Sequence, residues 1–176
     1  MKRTKQLVFA IALTFLAGLF WSAQAQVIPP SKAITIQGIE ISSGIAESDK
    51  DEVYGCSWLG KTSGSFPGSF FMSMNYTQSS NALSGPQPYL LDIVTSGTWS
   101  LPVYANNRYL GAIYGHVVSG TMEWQDLSKS FAAVNMTLFI DGGTKNFAGI
   151  SGKGIFSGTL NRATKGMPEL KGTLAF

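Results

Sequence analysis

Cysteine and histidine are nearly missing from this chain of 176 residues: Cys56 and His116 are the single examples of each. One cysteine excludes an internal disulfide, so the fold must rest on its apolar core. With one histidine, no cysteine pair and no Asp-x-Asp loop, the sequence offers no metal-ligand pattern. Charge is also sparse, at 13% of residues against the roughly 25% of an ordinary globular domain. A Ser-His-Asp order with a nucleophile elbow, a P-loop and a dinucleotide-binding strand-turn-helix are all absent, which leaves no cofactor implied. Long apolar runs are missing too, apart from one at the N-terminus.

That run, Leu7 to Trp21, follows Lys2, Arg3 and Lys5 and precedes Ala23-Gln24-Ala25, a small-x-small cleavage pattern. It is shorter than the roughly 20 residues that a membrane-spanning helix needs. The expectation is a signal peptide over 1–25, a mature N-terminus at Gln26, and export to the periplasm or beyond the cell. No cysteine follows closely enough for lipid attachment. Removing the three basic residues leaves ten Lys and Arg against ten Asp and Glu, so the high calculated isoelectric point belongs to the leader. No basic cluster remains for nucleic acid or an anionic membrane.

What the chain has in quantity is glycine between β-forming residues. Asp141 to Leu160, DGGTKNFAGISGKGIFSGTL, holds six of the 20 glycines. Gly142 and Gly143 are expected to supply the positive φ of a tight turn, and Gly149, Gly152, Gly154 and Gly158 to leave room where backbones approach. A Gly-Thr-apolar triplet recurs at Gly97-Thr98-Trp99, Gly120-Thr121-Met122, Gly158-Thr159-Leu160 and Gly172-Thr173-Leu174. It suits strands that bend at the glycine, as tilted barrel strands do.

Alternation and turn residues divide the mature chain into an extended lead-in, 26–32, and one all-β domain, 33–176. Strands are expected at Ala33–Ser42, Val53–Leu59, Ser69–Tyr76, Tyr89–Trp99, Gly111–Trp124, Phe131–Ile140, Gly152–Leu160 and Glu169–Phe176. Ala46 to Glu52 reads as a charged loop and Ser79 to Pro88 as a polar one. Eight short strands in hairpin order fit a single up-and-down antiparallel β-barrel, with a two-sheet β-sandwich as the alternative.

The run from Phe139 to Leu160, with Asp-Gly-Gly-Thr, Asn-Phe-Ala-Gly and Gly-Lys-Gly-Ile-Phe-Ser-Gly-Thr-Leu, resembles the allene oxide cyclase and dirigent barrel superfamily. Its signature is Gly-Gly-Thr-Gly-x-Phe-x-Gly-Ala-x-Gly; here Lys145 takes the place of the third glycine and Ile150 that of the alanine. The resemblance implies an eight-stranded antiparallel barrel with an apolar cavity for a lipid-like or phenolic ligand, whose cyclisation or coupling is steered by confinement. It also implies that a homo-oligomer is plausible. The family's catalytic residues do not map onto this chain.

Candidate site residues come from the side chains themselves. Strict alternation over Gly111–Trp124 puts Ala112, Tyr114, His116, Val118, Gly120, Met122 and Trp124 on one face, which makes Tyr114, His116 and Trp124 the candidates to line a ligand pocket; alternation alone does not decide which face points inward, since both carry apolar residues. His116 is the natural acid or base near neutral pH, against an ordinary surface or structural role. Asp92 shares a face with Leu90 and Val94 and must be paired or raised in pKa; it is either a ligand-positioning acid or half of a structural pair with Arg108. Asp92 and His116 are thus the catalytic candidates, and Asp92, Tyr114, His116 and Trp124 the ligand-binding ones. Glu40 ranks below them, Asp141 is expected to cap its turn, and Cys56 to be a buried small residue beside Trp58. The aromatics Phe66, Phe70, Phe71 and Tyr76 are expected in the core.

Three functions remain open on these grounds. They are a barrel that binds a small hydrophobic or phenolic ligand or a partner, a cofactor-free isomerase or cyclase, and a structural component of the envelope or matrix.

Overall fold

The computed structural model describes residues 32–47, 53–79 and 90–176. The expected signal peptide and most of the lead-in, together with the loop residues 48–52 and 80–89, lie outside them. Eight strands, β1 (Ala33–Glu47), β2 (Val53–Gly64), β3 (Gly68–Ser79), β4 (Leu90–Ala105), β5 (Arg108–Trp124), β6 (Phe131–Gly143), β7 (Gly152–Asn161) and β8 (Glu169–Ala175), follow one another around a closed antiparallel barrel. The ladder from β8 back to β1, Ala33 opposite Ala175 through Ile39 opposite Glu169, closes it. The barrel is the expected architecture; a sandwich would leave two separate sheets.

Alternation is cleanest in β6, where Ala132, Val134, Met136, Leu138 and Ile140 point inward and are all buried. The interior is filled by the protein's own side chains. Trp58, Trp99, Trp124, Phe70, Phe156 and Met72 head a core whose largest members are fully buried. Of the expected core aromatics, Phe66, Phe70 and Tyr76 are inside, whereas Phe71 is 37% exposed on the outer wall.

The triplet glycines act through space. Gly158 and Gly172 face each other across β7 and β8, and a Cβ on Gly158 would come within 2.8 Å of the Phe156 ring tip. The third residue of each triplet, Trp99, Met122, Leu160 or Leu174, is buried. Each triplet thus opens a space at the glycine and fills the next inward position with a large side chain.

The turn reading of Gly142 and Gly143 is corrected: both lie in β6, and neither has positive φ. A Cβ on Gly142 would sit 2.9 Å from the Tyr114 hydroxyl, so close approach is what this position requires. The left-handed backbone falls at Lys145 (φ 52°) and Gly149 (φ 77°), which flank the 3₁₀ turn Lys145–Phe147.

The single-face reading of β5 is also corrected. Its register against β6 slips between Val117 and Ser119, leaving Val118 as an extra residue. Ile113 and Val117 point inward before that bulge, and Met122 and Trp124 after it. β4 switches phase in the same way: Tyr76 and Asn75 of β3 oppose Val94 and Ser96, so Thr95 is extra. Asp92 and Val94 therefore point inward below the bulge, and Trp99, Leu101 and Val103 above it. One extra residue in a strand of period two is enough to exchange its faces.

Candidate functional site: a polar end to the barrel

The two ends of the barrel are closed by different chemistry. At the end that carries the β2–β3, β4–β5 and β6–β7 connections, Phe66 packs edge-on against Phe147 and Phe176, with centroids 5.7 and 6.3 Å away. Phe176 in turn reaches Trp99 at 6.3 Å, and Lys32 lies over the Phe66 ring. This is an aromatic plug.

At the opposite end, side chains from β1 to β5 and from two connections converge inside the wall. Asp92, 1% exposed, accepts a hydrogen bond from Trp124 Nε1 at 2.8 Å. Lys129 Nζ, from the β5–β6 connection, reaches both carboxylate oxygens at 2.9 and 3.1 Å. Arg162, just past the end of β7, places its guanidinium 4.9 Å from the Trp124 ring and donates from Nη2 to Glu40 Oε1 at 3.4 Å. Its backbone N–H is held by the Ser130 carbonyl at 2.8 Å, which ties the two connections together. Tyr76 lies near enough to the same guanidinium to favour its charge, and Tyr54 stacks on Tyr76 at 5.7 Å. Buried among them, Cys56 accepts the Trp58 Nε1 hydrogen bond at 3.2 Å.

Burial sets the electrostatics of this cluster. Desolvation raises the Glu40 carboxyl above its ordinary value, and the charge and hydrogen bond of Arg162 offset this only in part. Burial pushes Cys56 up to about 12, although the Trp58 hydrogen bond pulls the other way, so the thiol is inert and structural. Tyr76 is likewise raised by burial, against the pull of Arg162. For Arg162, burial disfavours the charge but the contacts with Tyr76 and Glu40 outweigh it, so the guanidinium is firmly protonated. One atom is left over: Arg162 Nε is a buried donor without a hydrogen-bond partner among the described residues. A buried donor left unmade costs about 1–3 kcal/mol.

The sequence candidates are thus divided. Asp92 and Trp124 meet directly in the polar end. Tyr114 and His116 are on the outer wall, upstream of the β5 bulge, with Tyr114 43% exposed. His116 Nδ1 lies 2.8 and 3.0 Å from the two Asp141 oxygens, and its ring is 5.5 Å from that of Phe139. Asp141 is itself the extra residue of a bulge, since Tyr114 and Gly115 oppose Gly142 and Ile140. It binds His116 across the wall and does not cap a turn, which corrects that expectation. The pairing of Asp92 with Arg108 is corrected too: Arg108 is exposed in the β4–β5 hairpin at the far end, and Lys129 takes its place.

Glu40, ambiguous in sequence, is buried and paired. Sequence reasoning missed Lys129 and Arg162, which stand in connections and carry no local pattern. The one available signal was that Arg162 is, with Arg108, one of two arginines beyond the leader. Among the described residues no three His, Cys, Asp or Glu side chains converge as a metal site would need, and no helix is long and apolar enough to cross a membrane.

A concavity lies on the outer wall of β1, β2 and β8, lined by Gln37, Ile39, Leu59, Lys61 and Glu169. It is shallow and gathers no buried polar group, so the polar end carries the chemistry. Comparison with family models, with curated proteins and with solved structures found no match.

Proposed function

We propose that this chain is an exported β-barrel binding protein that takes a small apolar or phenolic molecule at its polar end. Export follows from the N-terminal pattern, and the ligand class from the aromatic walls of Tyr54, Tyr76 and Trp124 beside a few fixed polar groups. The observation that carries the reading is the buried, unpartnered Arg162 Nε. The packed interior confines the ligand to this end. The apolar cavity that the resemblance to the allene oxide cyclase and dirigent barrels implies is not offered by this filled interior, so the ligand class rests on the aromatic walls at the polar end.

A second reading, a cofactor-free isomerase, is favoured by one observation. Glu40 is a carboxyl raised by burial, next to Arg162, and a carboxyl so shifted is a candidate to exchange a proton with a bound ligand.

Native mass spectrometry of the protein purified from its exporting host, followed by titration with 4-hydroxybenzyl alcohol under tryptophan fluorescence, tests the binding reading. The expected result is a co-purifying small molecule or a saturable fluorescence change that Arg162→Met abolishes. Protein that is empty, and silent to the probe, would replace the binding reading with a structural role.

A further inference from the structure

We propose that the polar end is a carboxylate site, in which a ligand carboxylate accepts the Arg162 Nε–H and Glu40 is protonated in the complex. The inference rests on the binding reading above and specifies the ligand's polar group.

The geometry supplies the charge argument. Lys129 and Asp92 neutralise each other in a close, doubly bonded pair. Arg162 and Glu40 are different: their single contact is 3.4 Å, long for a charge-assisted hydrogen bond, and it uses Nη2 alone. Nε remains a buried donor with nothing to accept it. A proton on Glu40 would leave the guanidinium without its carboxylate partner. A carboxylate complements that charge and fills the vacant acceptor position in one step, and the planar guanidinium is shaped to receive it. Trp124 on one face and Tyr76 beside the guanidinium leave it little freedom to turn elsewhere.

Among the described residues inside this end, the other titratable groups are already occupied or neutral. Cys56 from β2 and Tyr76 from β3 are raised by burial and stay neutral, and Asp92 from β4 is held by Lys129 and Trp124. Asp126, in the β5–β6 connection, is bound by Ser128 and Ser130. Glu169 and Lys171 of β8 pair with each other. The one ionisable residue of β6 is Asp141, engaged with His116 on the outer wall. Among the described residues inside this end, Glu40 is therefore the group whose protonation can follow ligand charge, the direction in which burial shifts it.

The test compares 4-hydroxybenzoate with 4-hydroxybenzyl alcohol by calorimetry on the mature protein, between about pH 5.5 and 8, where the acid stays anionic. The carboxylate is expected to bind about tenfold more tightly than the alcohol at the acid end, the worth of one charge-assisted hydrogen bond. That preference is expected to fade as pH rises. Glu40→Gln should keep the preference and make it independent of pH; Arg162→Met should lose it. Arg162→Lys, which keeps the charge but not the Nε–H donor, serves if the methionine variant fails to fold, and should lose most of it. His116→Ala should change nothing. Equal, pH-independent affinities for acid and alcohol would overturn the carboxylate site and leave the binding reading standing. Binding of neither probe would remove both.

Discussion

The two ends of this barrel solve the same problem, closing a cylinder of eight strands, with opposite materials. One end uses Phe66, Phe147, Phe176 and Trp99, whose rings exclude water and ask for nothing in return. The other buries two carboxylates against two partly exposed cations, and the cost of removing those carboxylates from water is recovered only through pairing. Stability alone favours the first solution. A polar end with one pair tight and the other long is the sort of compromise that binding sites make.

Substitutions at the two ends sharpen this contrast. The largest effect is expected at the aromatic plug: Phe66→Ala should cost about 4 kcal/mol of unfolding free energy in denaturant titration while leaving probe affinity unchanged. Asp92→Ala, at the polar end, should cost about 3 kcal/mol, because it strands the Trp124 N–H and the Lys129 ammonium in partly buried positions. Unlike the plug variant, it should also weaken probe binding. If both variants left binding alone, the functional difference between the ends would vanish.

A third outcome concerns pH. Burial raises Glu40 in the native state above its ordinary value of 4.5, so the folded protein holds this proton more tightly than the unfolded chain. Its contribution to stability is complete below 4.5 and is lost as pH rises through the native titration. Thermal unfolding followed from about pH 4 to 8 should therefore show a decline that Glu40→Gln removes. A decline of equal size in both proteins would place its origin elsewhere.

The smallest effect is expected at the other ion pair. His116 and Asp141 are 46% and 43% exposed, and a solvated pair of this kind is worth less than about 1 kcal/mol. Asp141→Ala should barely move the denaturation midpoint and should not touch binding. A loss comparable to that of Asp92→Ala would make the outer wall, with Tyr114 and Phe139 beside it, the more consequential surface.

The strands were legible because alternation and turn chemistry are local. Each of the eight expected segments overlaps a strand, and the barrel order follows from hairpins alone; β1 and β3 run on through Ala46, Glu47 and Ser79, which polar composition assigns to loops but ladder pairing keeps extended. The phase of β4 and β5 was not legible, because a bulge at Thr95 or Val118 is decided by the partner strand. That is why Tyr114 and His116 were grouped with Trp124 although they stand on opposite sides of the wall. Asp92 could be singled out because a carboxylate among Leu90, Ile93 and Val94 is conspicuous in one dimension. Its partner Lys129, some forty residues on, and the Arg162–Glu40 pair, across nearly the whole barrel sequence, are products of closure. Convergence of connections at one end is visible only once the cylinder is built.

The most direct test of a polar end that binds and an aromatic end that merely closes is the set of indole N–H resonances. Trp124 Nε1 donates to Asp92 at the polar end, whereas Trp99 Nε1 donates to the His116 carbonyl, and its ring packs on Phe176. On titration with 4-hydroxybenzoate, the Trp124 indole signal should shift with saturation while that of Trp99 stays in place. A shift at Trp99 with Trp124 unmoved, or no shift at either, would contradict the account.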